Sequence, residues 1–229
     1  MLEWSATRLS AAIHARNVSA SEVMAAWLAQ VEAANAAVNA IVSLRDPEAL
    51  MAEARALDDQ TPQGWLHGIP CAVKDLVATS GLRTTWGAVI AAKTNVPEWG
   101  QGSHSFNPVF GVTRNPYDLS RSAGGSSGGA AAALAARMAW VADGSDMMGS
   151  LRNPAAFCNV YGFRPTWGLV PQDAEGDTYL ATLSTEGPMG RTIEDVARLL
   201  VVLAGENPEA PFPRAVPDVL SGLDRGVKG

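Results

Sequence analysis

The sequence predicts an α/β protein, a β-sheet with helices covering both faces. Two observations carry that reading. From Leu66 to about Pro188, short apolar runs alternate with Gly/Ser-rich turns and helical stretches, as in sheets whose strands are joined through helices. Before Leu66, apolar residues recur at helical spacing behind good N-caps.

The first helix follows Ser5, with Leu9, Ala12, Ile13 and Arg16 at helical spacing. Ser19 and Glu22 have capping-box spacing and open a second helix with Val23, Trp27, Leu28 and Val31 on one face. Ala40 to Leu44 reads as a short strand, and Asp46-Pro47 starts a third helix through Leu50, Ala54 and Leu57. These elements carry no chemistry and are expected to form a covering layer. Further strands are expected at Ile69 to Val73, Val89 to Ala92, Trp140 to Ala142 and Val160 to Phe163. Helices are expected from Gly129 to about Ala139 and from Thr192, as N-cap, to Ala204, with Gly205 as the stop. Beyond Gly205 come Pro208, Pro211, Pro213 and Pro217. The expected organisation is a core over residues 1–205 and a linker-like tail over 206–229.

The chain has 229 residues, 47% of them hydrophobic and 17% charged, enough to bury a sizeable core. A net charge of -6 argues against a broad phosphate-binding surface, so nucleic acid is not an expected partner. No apolar run approaches the roughly 20 residues of a membrane span, and the first residues lack a signal-peptide layout. Cys71 and Cys158 read as two buried thiols in a reducing cytoplasm. No Cys/His cluster has metal-ligand spacing, and neither metal nor cofactor is expected.

Two Gly/Ser-rich segments stand out: Ser122 to Gly129, running into an alanine-rich helix, and Asp143 to Pro154. Glycines flanking serines let backbone approach a ligand closely and aim several N–H groups at one point. The first segment is no phosphate cradle, because Ala130 stands where Lys-Ser or Lys-Thr is needed, and it lacks dinucleotide-loop spacing. Gly124 to Gly128 fits Gly-x-Ser-x-Gly, but that elbow needs its histidine after the serine. His14, His67 and His104 all precede Ser126. A lysine can serve as base if desolvation lowers its pKa. Lys74, one of three lysines, ends the apolar run Ile69 to Val73, where a solvated lysine is out of place. A plain ion pair with Asp75 is the competing reading of Lys74.

Three segments in order resemble the amidase signature family: Val73-Lys74-Asp75, Gly124 to Gly129, and Gly144 to Pro154. Lys93 to Gly100, Asn115 to Asp118 and Gly162 to Thr166 are similar to it as well. The resemblance implies a mixed sheet covered by helices on both faces and hydrolysis of a small carboxamide. Carried over residue by residue, it implies Ser150 as nucleophile, Ser126 as bridging serine after a cis peptide bond, and Lys74 as base. Backbone N–H groups of Met147, Met148, Gly149 and Ser150 would hold the oxyanion, and Asp146 and Arg152 would brace the loop. The chain departs from the family in three ways. Met148 stands where Gly is common. About 25 residues are absent between Ala88 and Val89, and family members run to roughly twice the length. Some sheet surface is therefore expected to be uncovered, and self-association to follow. The alternative functions are a catalytically silent binding or scaffold fragment and an ammonia-releasing amidotransferase subunit. Trp86, Trp99 and Phe106 are expected either in the core or lining an apolar acyl site.

Overall fold

The computed structural model describes residues 1–76, 88–171, 182–205 and 214–226. The N-terminal layer forms as its caps dictate. Ser5 Oγ accepts from Arg8 N ahead of α1 (Ala6–His14). Ser19 and Glu22 complete a reciprocal capping box at α2 (Ala20–Val38). Asp46 accepts from Ala49 N at α3 (Pro47–Asp58), which follows the two-residue strand β1 (Ile41–Val42). The face of α2 bearing Val23, Trp27 and Val31 is buried, and Trp27 Nε1 donates to Met138 O at 2.7 Å.

β2 (Pro70–Lys74) and β3 (Val89–Thr94) run parallel, and β3 pairs antiparallel with β1, giving a mixed sheet in the order β1-β3-β2. The chain then makes two small hairpins. β4 (Phe106–Asn107) pairs with β5 (Gly111–Val112), and β6 (Arg114–Asn115) with β7 (Asp118–Ser122). After α4 (Gly128–Ala135) come β8 (Val141–Asp146), α5 (Arg152–Phe157), β9 (Tyr161–Gly162), β10 (Thr185–Gly190) and α6 (Ile193–Leu203). These strands form a second, antiparallel sheet, β8-β10-β9. Helix α4 touches both sheets, which meet where β2 packs on β8. Its residues from Gly128 to Leu134 are all buried, so the loop ahead of it is held between the sheets.

Several expectations need correction. α4 stops at Ala135 rather than Ala139, because Arg137 takes a positive φ and Met138 N turns back to Ala133 O. β8 does not end at Ala142 but continues through Gly144-Ser145-Asp146, which is strand and not turn. β10, the middle strand of the second sheet, carries no sequence signal, since Gly187, Pro188 and Gly190 depress strand propensity. Gly187 is required there, because a Cβ would collide with Phe163 O. Trp99 and Phe106 are exposed, not core residues, and Trp86 lies outside the described residues. Cys158 is buried and Cys71 half-buried, both as free thiols. In residues 214–226, Arg214 Nε donates to Trp167 O at 2.9 Å, and Val219 packs beside Leu169, Val170 and Leu200. Among the described residues, no helix is long and apolar enough to cross a membrane.

The N-terminal helix is clasped to α6 by Asp195, which is fully buried. It accepts from Ala6 N at 3.1 Å and from Thr7 N and Thr7 Oγ1 at 2.8 and 2.9 Å. It thus satisfies first-turn donors of α1 that otherwise lack partners. Asp195→Ala is expected to cost about 2–4 kcal/mol, read as a lower urea midpoint at unchanged m-value.

Candidate active site

Lys74 ends β2 with its side chain fully buried. Its Nζ donates to Ser126 Oγ at 2.8 Å and to Ser145 Oγ at 2.7 Å. The Asp75 pairing does not form; Asp75 instead lies 3.6 Å from Lys93 Nζ. Burial lowers the Lys74 pKa to about 8, against the opposing charges of Glu186, Asp143 and Asp146. The Asp143 carboxylate accepts the Lys74 backbone N–H at 3.0 and 3.2 Å. That contact clips the end of β2 to β8 and fixes where the side chain starts.

Ser126 sits in the loop entering α4, after a cis Gly125–Ser126 peptide, and is buried. The glycines around it are there for close approach. A Cβ on Gly125 would collide with the backbone of His104, and one on Gly129 with the backbone of Asn95. Ser105 Oγ donates to Gly124 O at 3.1 Å and accepts from Gly128 N at 3.1 Å, lacing the loop from outside.

Ser150 lies half-buried in the turn after β8. Ser127 N donates to Ser150 O at 3.1 Å, tying the two serine-bearing segments together through the backbone. No hydrogen bond joins the Ser126 and Ser150 hydroxyls. Asp146, fully buried, organises this turn. It accepts from Gly149 N at 2.7 Å, Leu151 N at 3.2 Å, Arg152 Nε at 3.0 Å and Arg152 Nη2 at 3.1 Å. Burial alone would raise the Asp146 carboxyl. The hydrogen bonds from Arg152, Gly149 and Leu151 outweigh it and hold the pKa at about 2. The Gly149 N–H is thus committed to Asp146. Among the described residues, the N–H groups of Met147, Met148 and Ser150 have no partner, and Met148 is 86% exposed.

Sequence reasoning missed Ser145 and Glu186. Ser145 had a signal, since it stands in the Gly144-Ser145-Asp146 motif, but a turn was expected there. Glu186 had none. A cleft of about 590 Å³ passes Ser105 and Ser122 and is lined by Phe106, but not by Lys74, Ser126 or Ser150. Among the described residues, no cluster of three or more His, Cys, Asp and Glu side chains has metal-binding geometry.

The chain matches the family model described as Amidase over residues 22–88 and 86–227. The two matches meet at residues 86–88, where the sequence departs from the family pattern. It is 39% identical over 258 aligned residues to a glutamyl-tRNA(Gln) amidotransferase subunit from Rubrobacter xylanophilus, covering 100% of this chain and 53% of that one. It is 42% identical over 214 residues to the same-named subunit from Thermus thermophilus, covering 83% and 44%. Its fold superposes on a bacterial aryl acylamidase of the amidase signature family with a TM-score of 0.91 at 31% identity, over 99% of this chain and 53% of that one. A peptide amidase from Stenotrophomonas maltophilia gives 0.80 at 32% identity, over 94% and 52%. The chain spans about half the length of the relatives it matches.

Asp146 has a testable acid signature. Its folded pKa of about 2 lies below the ordinary 3.8. Its stabilisation is therefore full above about pH 4 and lost as the pH falls through 2. Asp146→Asn is expected to be less stable than wild type by about 2 kcal/mol at pH 7. The two urea midpoints should converge near pH 2; a gap that stays constant from pH 7 to pH 2 would rule the ionised carboxylate out as the cause.

Proposed function

The chain belongs to the amidase signature family, and from that premise we propose that it hydrolyses a carboxamide C–N bond, with Ser150 as nucleophile, Ser126 as bridging serine and Lys74 as base. The observation that carries the reading is the buried Lys74 amine, 2.8 Å from the Ser126 hydroxyl. A neutral amine has two N–H groups and one lone pair. One N–H goes to Ser145, and the lone pair takes the Ser126 proton as Ser126 takes that of Ser150. Ser150 Oγ attacks the carbonyl carbon, and the C–N bond breaks as the relay runs backward to protonate the departing nitrogen. Water then cleaves the acyl-enzyme. The two serine hydroxyls must close up on substrate, as catalytic hydrogen bonds commonly do. Met147, Met148 and Ser150 offer N–H groups for the oxyanion. Asp146 and Arg152 brace the turn that presents them, and Gly149 spends its N–H on that brace.

A second reading, an ammonia-releasing amidotransferase subunit, draws support from relatives bearing that name at 34–42% identity. Ammonia release from carboxamides, measured with and without partner subunits, separates the two. Labelling by a serine-directed fluorophosphonate separates both from a silent binding fragment. Exposed Trp99, Val109 and Met148 give the chain apolar surface through which we expect it to self-associate.

Ser150→Ala is expected to abolish fluorophosphonate labelling and ammonia release. Ser126→Ala and Lys74→Ala should each lower turnover by at least about 100-fold, with non-additive losses in combination. A Lys74→Ala, Ser150→Ala double variant that kept wild-type turnover would sink the mechanism. Turnover should rise with pH through about 8, as Lys74 loses its proton, and then level off. A profile falling from pH 6 to 9 while the protein stays folded would contradict a lysine base.

A further inference from the structure

One acidic side chain is carried by β10 towards the centre of the site, and the relay above makes no use of it. Glu186 is half-buried and stands directly opposite Ser145 in the β8–β10 ladder. Directly opposed residues of an antiparallel pair project from the same face, with Cβ atoms about 5 Å apart. Ser145 is the residue whose hydroxyl accepts from Lys74 Nζ at 2.7 Å. Two positions back on β8, and so on the same face, Asp143 accepts the Lys74 backbone N–H at 3.0 Å. Asp143, Ser145 and Glu186 therefore form one polar face that closes on Lys74. Asp146, an odd step along β8, projects from the opposite face and serves the turn.

The other charged groups near β10 are engaged elsewhere. On α6, Asp195 caps α1 and Arg198 pairs with Glu194 at 3.0 Å. Arg191, just past β10, donates to the carbonyls of Ala139, Leu2 and Trp4. Arg164, beyond β9, lies 3.8 Å from Asp146. Helix α4 carries no charged residue. On β3, Lys93 lies 3.6 Å from Asp75. Facing Glu186 are thus Lys74 and Asp143.

We propose that Glu186 is a positioning residue for the lysine: its carboxylate, set beside Ser145 on the face that closes on Lys74, governs how readily the amine gives up its proton. The proposal rests on the reading of Lys74 as base. Glu186 touches no substrate and exchanges no proton in the relay; it acts through its charge. Burial, and then the Asp143 charge, push Glu186 up to about 7, against the pull of Lys74. Of the charges that oppose the burial of Lys74, Glu186 is the largest. An ionised Glu186 favours the ammonium, and a neutral one releases Lys74 to act as base at lower pH.

The chain has only three lysines, Lys74, Lys93 and Lys228, so protein carrying ε-13C-lysine gives three resolvable resonances, with Lys74 assigned from Lys74→Arg. In Glu186→Gln the Lys74 titration midpoint is expected to fall by about 1 unit. The acid limb of the fluorophosphonate labelling rate should move the same way, and Glu186→Asp should restore part of the shift. If the glutamine variant is unfolded, Glu186→Leu should give the same sign. A Lys74 midpoint that stays put or rises in a folded variant overturns the proposal, because a merely structural Glu186 would leave that titration untouched. A midpoint that falls without any labelling of Ser150 upholds the coupling and overturns the relay instead.

Discussion

Everything at this site depends on one buried amine. Lys74 Nζ is out of water with two serine hydroxyls as its hydrogen-bond partners. An ammonium there would be poorly solvated, since hydroxyls give it dipoles but no counter-charge in direct contact. That cost makes the neutral form accessible near pH 8, and the neutral form is the one that can take a proton. The burial that fixes the side chain in place is thus also what turns it into a base.

Holding a lysine there demands that three distant segments converge. β2 delivers its backbone, and Asp143 pins the last N–H of that strand. The loop before α4 brings Ser126, and β8 brings Ser145. Helix α4 can serve both sheets because its residues are small; glycines and alanines let it sit where larger side chains would clash. Interiors of this density leave little freedom, so the geometry is set by backbone contacts rather than by long flexible side chains.

The turn with Ser150 is built on a different principle. Its rigidity comes from one carboxylate, Asp146, which gathers backbone N–H groups and the Arg152 guanidinium. The two faces of β8 are thereby divided. One side, with Asp143 and Ser145, deals with the lysine, and the other, with Asp146, deals with the turn. A strand that alternates its side chains is well suited to such a division, and a one-residue slip in the β8–β10 register would exchange the two roles.

By itself the sequence determined what local chemistry can fix. Capping residues placed α1, α2 and α3, because an N-cap acts within one turn. The apolar run ending at Lys74 marked a strand with an out-of-place charge, and the glycines around Ser126 marked a close approach. What it left undetermined was set by partners far along the chain. β8 extends through a glycine and two polar residues because β10 supplies its ladder. β10 itself is a strand only because β8 and β9 pair with it, over the contrary propensity of Gly187 and Pro188. Ser145 and Glu186 meet Lys74 through that pairing and through no motif of their own. Tertiary structure alone decided that the lysine has a second hydroxyl and an acidic neighbour, because register between strands some forty residues apart is a property of packing and not of local sequence.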